Sequence, residues 1–397
     1  MITVKQALTE VLALVSPLPS ETVPLREAAG RTLAAPATAR RDQPPFASSA
    51  MDGYAVIGLE VEPDAMFKVI GEAAAGHAFG GEVKAGQAVR IFTGAPAPKG
   101  ATRVVIQEDV IRKGDLITLR RDLDQATYIR PAGGDFKSGD QLAAPRLLTP
   151  SDIALLASMN IDQVTVTRRP VIALMATGDE LVMPGENPVP DQIIASNNFG
   201  LAALVEQHGG EARMLPIARD NRASLEAAFA LCEDADMVVT IGGASVGDHD
   251  LVAQVAGDLG LERAFYKIAM RPGKPLMAGK MMGIPMLGLP GNPVSSMVCG
   301  HVYLLPAIRA MLGFPPEPRP RLQATLTCNM PANGPREHYM RARVEAGQIT
   351  PFERQDSALL TVLADANALL IRPVDAPAIS NGETVAYIPL GQALSPH

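Results

Sequence analysis

The sequence predicts a multidomain α/β plus β protein: one α/β domain with a parallel sheet, accompanied by β-rich modules. Three observations lead there. Between residues 168 and 315, strand-like apolar runs alternate with helical patterns, the rhythm of a parallel sheet covered on both faces. Residues 41–130 instead string short β-branched runs between Gly, Pro and Asp turns. A proline-rich stretch, FPPEPRP (314–320), then separates the α/β part from a last segment of short strands and turns.

In chain order, residues 1–40 read as helical. TVKQALTEVLALV repeats apolar residues at helical spacing until Pro17 and Pro19 stop it. FKVIGEA, AVRIFTG, RVVIQEDVI and DLITL are the strand candidates of 41–130. TPSDIALLASMN is a capped helix, where the chain returns to its first helical segment. Residues 1–40 and 131–167 therefore form one discontinuous helical domain, and 41–130 are inserted into it. In 168–315 the expected strands are VIALMAT, RMLPIA, DMVVTIGG, ERAFYKIAM and MLGLP. The helices between them are SNNFGLAALVEQHGG, with a polar N-cap and glycine stop, NRASLEAAFALCEDA and SVGDHDLVAQVAGDLG. NPVSSMVCGHVYLLPAIRAML is a long last helix, FPPEPRP a linker, and 316–397 a second small β domain.

A chain of 397 residues accommodates several domains, and its 35 Gly and 34 Pro fit a loop-rich globular protein. The formal net charge of −7 excludes general nucleic-acid electrostatics, so any anion site must come from a local basic cluster. Cys232, Cys299 and Cys328 lie far apart without metal spacing, which suits a reducing cytosol. The first helix carries Lys5 and Glu10 and lacks a cleavage site, so it is not a signal peptide. No apolar run is read as a membrane span, and a cytoplasmic protein is expected.

Ligands of open α/β sheets bind beyond the carboxyl ends of the strands, and every such loop here is polar. Asp179 and Glu180 follow the first strand, Asp220 the second, and Ser245, Asp248 and Asp250 the glycine-rich TIGGASVGDHD. RPGKP brings Arg271 and Lys274, with Lys267 slightly earlier, and GNPVSS opens the last helix. Singly, each has an ordinary explanation: a helix cap, a turn, or a charge favoured by a helix dipole. Together they put carboxylates, cations and a helix N-terminus around one crevice. Free N–H groups at the GNPVSS start, with Ser295 and Ser296, suit a tetrahedral anion, reinforced by RPGKP. The carboxylates suit Mg²⁺, which takes one or two of them and completes its shell with water and substrate phosphate. A magnesium phosphate-anhydride site reconciles aspartates with phosphate. In the insertion, Asp52-Gly53 reads as a hairpin turn and Gly94 as a bulge or tight turn.

SSAMDGYAV, IFTGAPAP, VVIQEDV, IRPAGGDFKSGD, TGDEL, TIGGASVGDHD, MRPGKP and GLPGNPVSS occur in one order along the whole chain. That series resembles the molybdopterin molybdenumtransferases, the MoeA family, related to the C-terminal part of gephyrin. The resemblance implies a homodimer whose chains hold a helical linker domain, the β insertion, a molybdopterin-binding α/β domain and a C-terminal β-barrel. It implies insertion of molybdenum from molybdate into adenylylated molybdopterin with release of AMP, assisted by Mg²⁺. It implies functional roles for Asp52 and Thr93, for Glu180, Asp220 and Asp250, and for Lys267, Arg271 and Lys274. Ser245 and Ser295 match its loop serines, and Arg341 and Ser357 its Arg and Ser facing the molybdate region. Asp220 and Asp250 are the first choices for holding Mg²⁺, and Glu180 for positioning water or the pterin. QDS around Ser357 departs from the family's pattern, Arg271 replaces a lysine of some relatives, and His249 receives no catalytic role. A molybdopterin adenylyltransferase is the alternative enzyme, and the implied donor of the substrate; a gephyrin-like scaffold is the non-enzymatic alternative. The β insertion and last domain oppose the first, and the lack of a fused second enzyme opposes the second.

Overall fold

The structure is a computed structural model that describes residues 1–242 and 251–391. Helix α1 (Val4–Leu14) starts at a reciprocal cap between Thr3 and Gln6. Its Val4, Ala7, Leu8 and Val11, one helical stripe, are buried in the α/β core. Helical structure does not continue to residue 40 as expected. Ser20–Pro24 and Thr32–Leu33 are strands, which join Gln163–Thr167 and Arg146–Leu147 in a four-stranded antiparallel sheet. The reason lies in Thr22, Val23, Thr32 and Leu33, whose alternation buries Val23 and Leu33 beside Val164 and Val166. The capped helix after Thr149 is present as α2 (Pro150–Ser158), with Asp152 at N3 closing the capping box. Its Leu156 covers the same sheet.

Residues 41–130 leave this sheet and return to it, and hold their own six-stranded sheet. Its order is Arg103–Ile106, Gly53–Val56, Gln87–Ile91, Met66–Ala73, Leu116–Leu119, Val110–Lys113. Both faces are covered: Tyr54 and Val56 enter one core with Phe67 and Ile117, while Ala55 enters another with Val89 and Ile91.

In the α/β domain, Glu211–Met214, Val171–Ala176, Met237–Ile241 and Ile284–Leu289 are parallel neighbours in that order. Two antiparallel strands, Met277–Met281 and Glu262–Tyr266, extend the sheet. The first was not read from the sequence. MAGKMMGIPM has no clean period-two pattern, and the hairpin rests on Met282 and Gly283, both at positive φ. Helices α3 (Asn197–Gln207), α4 (Arg222–Ala230) and α5 (Leu251–Asp258) cover the faces. The long last helix is α6 (Pro293–Cys299), a π turn at Gly300–Leu304, and α7 (Leu305–Met311). Pro306, which lacks an N–H, adjoins the π turn and accounts for the locally widened ladder. Pro293–Met311 is, contrary to expectation, long and apolar enough to cross a membrane, yet 89% of it is buried inside the protein. It is the central core helix.

Leu322–Leu326, Glu337–Glu345, Gln348–Pro351, Ala368–Arg372 and Thr384–Pro389 close into a five-stranded barrel through the pairing of Glu337–Glu345 with Ala368–Arg372. Its Tyr339, Leu369, Ile371 and Ile388 share the core of the α/β domain. The expected linker 314–320 is anchored there at two residues. Phe314 is buried, and the buried Arg319 donates to His301 Nδ1 (2.7 Å) and to the Pro389 carbonyl (2.8 Å).

Two buried histidines make this junction acid-sensitive. Burial, then Arg319 and His208, pushes His301 down to about 3; burial, then Arg271, Arg336, Arg341 and Arg372, pushes His338 down to about 4. Below the unfolded value of 6.5 the unfolded chain binds more protons than the folded one. Stability therefore falls as pH drops from 6.5 toward 4, by at most about 1.4 kcal/mol per pH unit for each histidine. Urea midpoints between pH 7 and 5 measure this. Replacing both by Gln, which still accepts from Arg319, flattens the slope; an unchanged slope refutes the assignment.

Candidate functional site

A cavity of about 940 Å³ opens at the carboxyl ends of the four parallel strands. The Thr177–Leu181 loop, Asp220, Gly242 and the Pro290–Pro293 turn line it, one from each strand end. Gly178 has φ +145°, and a Cβ there would stand 2.3 Å from Glu180 Oε2, so glycine lets that carboxylate fold over the turn. Asn221, not Asp220, caps α4 by accepting from the Ser224 N–H (2.9 Å). Asp220 instead donates its backbone N–H to Asp179 Oδ1 (3.1 Å), and Arg219 ties the loops by donating to the Asp179 and Leu181 carbonyls. Burial, then the charges of Asp179 and Glu180, raise the Asp220 carboxyl above its ordinary value. Ser245, Asp248, His249 and Asp250 lie outside the described residues.

The helix start at GNPVSS is not the open anion cradle expected. Pro293 has no N–H, Val294 N–H donates to the Ser357 carbonyl (3.0 Å), and Ser296 N–H donates to the Asn292 carbonyl (3.0 Å). Ser296 Oγ donates to the Pro293 carbonyl, and Ser295 is buried. A loop of the barrel has taken the position foreseen for a ligand. Ser357 thus adjoins Ser295, and Ala358 beside it lines the cavity.

The basic residues are not in the cavity lining. Of RPGKP only Pro275 lines it, and Arg271 and Lys274 are exposed. Ile268 N–H donates to the Lys274 carbonyl, and Lys267 N–H to the Leu276 carbonyl, which folds the loop back on itself. Lys267 has φ +71°, and its Nζ lies 5.0 Å from the Tyr266 ring centre. Gly273 fits because a Cβ would come within 2.5 Å of Cys299 Sγ. Burial raises the Cys299 thiol, and raises Cys232 to about 11, so neither serves as a nucleophile.

Arg341, which the resemblance implied to face the molybdate region, is built into the barrel loop. It is 2% exposed; its Nε donates to Gln355 Oε1 (3.2 Å), Nη1 to the Asp356 carbonyl (2.7 Å) and Nη2 to the Arg354 carbonyl (3.4 Å). Here Arg341 holds the loop that covers the α6 start. Arg341→Ala should lower stability by about 3 kcal/mol through unpaired buried acceptors and a void. Arg341→Lys should not restore it, because an ammonium cannot span these acceptors. A urea midpoint for the alanine variant equal to wild type would contradict this.

In the insertion, Asp52 accepts from both the backbone N–H and Oγ1 of Thr93, each at 2.8 Å. Those bonds, with Arg90 nearby, lower the Asp52 carboxyl below its usual range. Arg90 in turn donates to the Gly53 carbonyl and Gln107 Oε1. The two residues that the sequence paired are in contact. Among the described residues, none from 41–130 lines the cavity of the same chain.

Sequence reasoning missed Thr177, Asn197 and Asn198 in the cavity wall. SNN was taken as a polar N-cap, but Ser196 makes no side-chain cap bond and Asn197 Nδ2 donates to the Gly291 carbonyl (2.7 Å). One hydroxyl and two amides in three consecutive residues, Ser196, Asn197 and Asn198, were the available signal. For a divalent cation, Glu180 and Asp220 supply hard oxygen donors in a self-repelling cluster, which fits Mg²⁺. Among the described residues no three His, Cys, Asp or Glu side chains converge into a complete cage.

A multidomain protein with an α/β ligand crevice, capped by a barrel loop and accompanied by a β insertion, is thus defined. Family models match it in three parts: the MoeA N-terminal region (domain I and II) at 2–160, a probable molybdopterin binding domain at 173–310, and the MoeA C-terminal region (domain IV) at 323–390. The chain is 35% identical to the molybdopterin molybdenumtransferase of Nostoc sp. over 94% of its own length and 89% of the relative's. It is 34% identical to that of Haemophilus influenzae, over 99% and 100%. A crystal structure of a molybdopterin biosynthesis MoeA protein from Pyrococcus horikoshii superposes with TM-score 0.83, 29% identity and coverage of 99% and 100%. The chain belongs to the MoeA family.

Proposed function

We propose that the protein is a transferase of molybdenum cofactor biosynthesis that inserts molybdenum from molybdate into adenylylated molybdopterin and releases AMP. The observation that carries this is the Glu180–Asp220 carboxylate cluster in the wall of a cavity that Pro275 of the RPGKP loop also lines. The family membership supports it, as do the relatives from Nostoc and Haemophilus, which are molybdopterin molybdenumtransferases.

In the reaction, water adds to the adenylyl phosphorus, the P–O bond of the anhydride breaks, and AMP departs. Asp220, with Asp250, would hold Mg²⁺, which when bound supplies neutralising charge to the anhydride. Glu180, folded over Gly178, positions water or the pterin. Lys274, Arg271 and Lys267 attract molybdate and the substrate phosphates. Ser245 and Ser295 contribute hydroxyls to the same loops, Ser357 stands over the α6 start, and Arg341 holds it there. Asp52 and Thr93 complete the site from a second subunit of a cytoplasmic homodimer, and a molybdopterin adenylyltransferase delivers the substrate.

Incubation with adenylylated molybdopterin, molybdate and Mg²⁺ should release AMP, and omission of Mg²⁺ should stop it. No AMP release with intact substrate sinks the reading; consumption of ATP instead identifies an adenylyltransferase.

A further inference from the structure

A second cavity, of about 450 Å³, lies between α3, the π turn and the last domain. Its walls are mostly apolar: Leu204 of α3, Met297 of α6, Leu360 and Leu363 of a short helix α8 (Leu360–Asp365), and Leu390. Gly200 and Ala203 of α3 leave the room, and at Gly200 a Cβ would stand 2.9 Å from Met297 Sδ. Among the described residues His301 is the one ionisable side chain in this lining. It is 6% exposed and stands in the π turn, an irregularity that recurs at functional sites. Its Nδ1 is bonded to Arg319 Nη1. A guanidinium only donates, so Nδ1 accepts and the ring proton sits on Nε2. Burial keeps the ring neutral at ordinary pH. Nε2 has no partner among the described residues, yet it is not one of the occluded atoms, as the nearby Tyr303 hydroxyl is. It is therefore a donor open to whatever occupies the cavity.

Behind the ring, Arg319 carries a charge that nothing balances. It is 4% exposed, its Nη2 goes to the Pro389 carbonyl, and no carboxylate pairs with it among the described residues. Burial, then Arg309, lowers its value to about 10, so it stays charged at neutral pH. A buried charge is costly unless a partner compensates it. No Asp or Glu among the described residues lines the cavity to do so. These features restrict the ligand. One N–H donor with one charge behind it suits a single carboxylate. A phosphate, with more oxygens and charge, would leave acceptors unpaired against leucines. The leucine and methionine walls suit an aliphatic body.

We infer that this cavity binds a small carboxylate with an apolar tail, whose oxygen accepts from His301 Nε2–H in the field of Arg319. The site adjoins the strand-end cavity at Ser196 and Asn197 but shares none of its carboxylates, and it goes beyond the reaction proposed above. Calorimetric titration of octanoate, octanol and inorganic phosphate into wild type, Ala203→Trp, His301→Gln and His301→Leu tests it. Octanoate should bind wild type at least about tenfold more tightly than octanol, and phosphate should not displace it. Ala203 is an exposed residue of the lining, so a tryptophan there fills the cavity without touching the Arg319–His301 bond, and octanoate binding should be lost. His301→Gln, whose amide accepts from Arg319 and still brings an N–H, should retain binding; His301→Leu should weaken it about tenfold or more. Leucine also leaves Arg319 without its acceptor. If urea midpoints show that variant unfolded, the tryptophan and glutamine variants decide. A wild type that does not bind octanoate, equal affinity for octanol, displacement by phosphate, or unchanged octanoate binding in Ala203→Trp overturns the inference. AMP release plays no part in the readout, so failure of the insertion reaction leaves this site standing, and failure here leaves the reaction standing.

Discussion

Asp220→Asn should reduce AMP release at least about a hundredfold while leaving the fold as stable as wild type or more so. The amide has nearly the same shape, and the bond from the Asp220 backbone N–H to Asp179 Oδ1 does not depend on the side chain. What changes is charge. Asp220 is desolvated and repelled by Asp179 and Glu180, so its ionised form costs folding free energy that a neutral amide does not. Because its folded value is raised, that cost is absent well below the carboxylate range and present at neutral pH. A group that only served the fold would behave in the opposite way, losing stability on neutralisation. Mg²⁺ dependence separates the remaining explanations: the half-saturating Mg²⁺ concentration should rise together with the loss of rate. Wild-type AMP release with an unchanged Mg²⁺ titration would sink the role of Asp220.

What the sequence made legible follows the range of the forces involved. The four parallel strands and the α2 cap were readable because runs such as VIALMA and the Thr149–Asp152 pair act over a few residues. The convergence of Glu180, Asp220 and the Pro290–Pro293 turn was also readable, since strand ends of an open α/β sheet share one edge. Features set by distant partners were not. The helix start at Pro293 reads as an open anion site, and nothing local tells that the Ser357 carbonyl will take the Val294 N–H. Arg341 lies in an alternating strand, and only the folded loop at 354–356 makes it a buried clamp. Residues 314–320 look like a linker because proline-rich stretches usually are, yet Arg319 finds His301 eighteen positions earlier in the chain. Thr177 and Asn198 were passed over for the same reason: a cavity wall is recognised only once every neighbour is in position.

Mixing two inactive variants, Asp52→Ala and Glu180→Ala, should restore about a quarter of wild-type AMP release if the protein is a two-fold dimer with sites built across it. The structure gives this expectation its footing. Asp52 is locked to Thr93 by two hydrogen bonds at the strand ends of the inserted sheet, and it is half-buried there. Yet no described residue of 41–130 lines the cavity that Glu180 faces in the same chain. If both residues serve one reaction, the second chain must bring them together. With free exchange about half of the dimers are mixed, and each mixed dimer has one site with both residues intact and one with neither. Were the sites built within single chains, every site would still lack one residue and mixing would restore nothing. Co-refolding at equal amounts, with mixed dimers verified by mass, makes the comparison. Recovery near a quarter of wild type supports the shared site. No recovery in the presence of verified mixed dimers excludes it, and would leave Asp52 and Thr93 as a turn lock of the insertion alone.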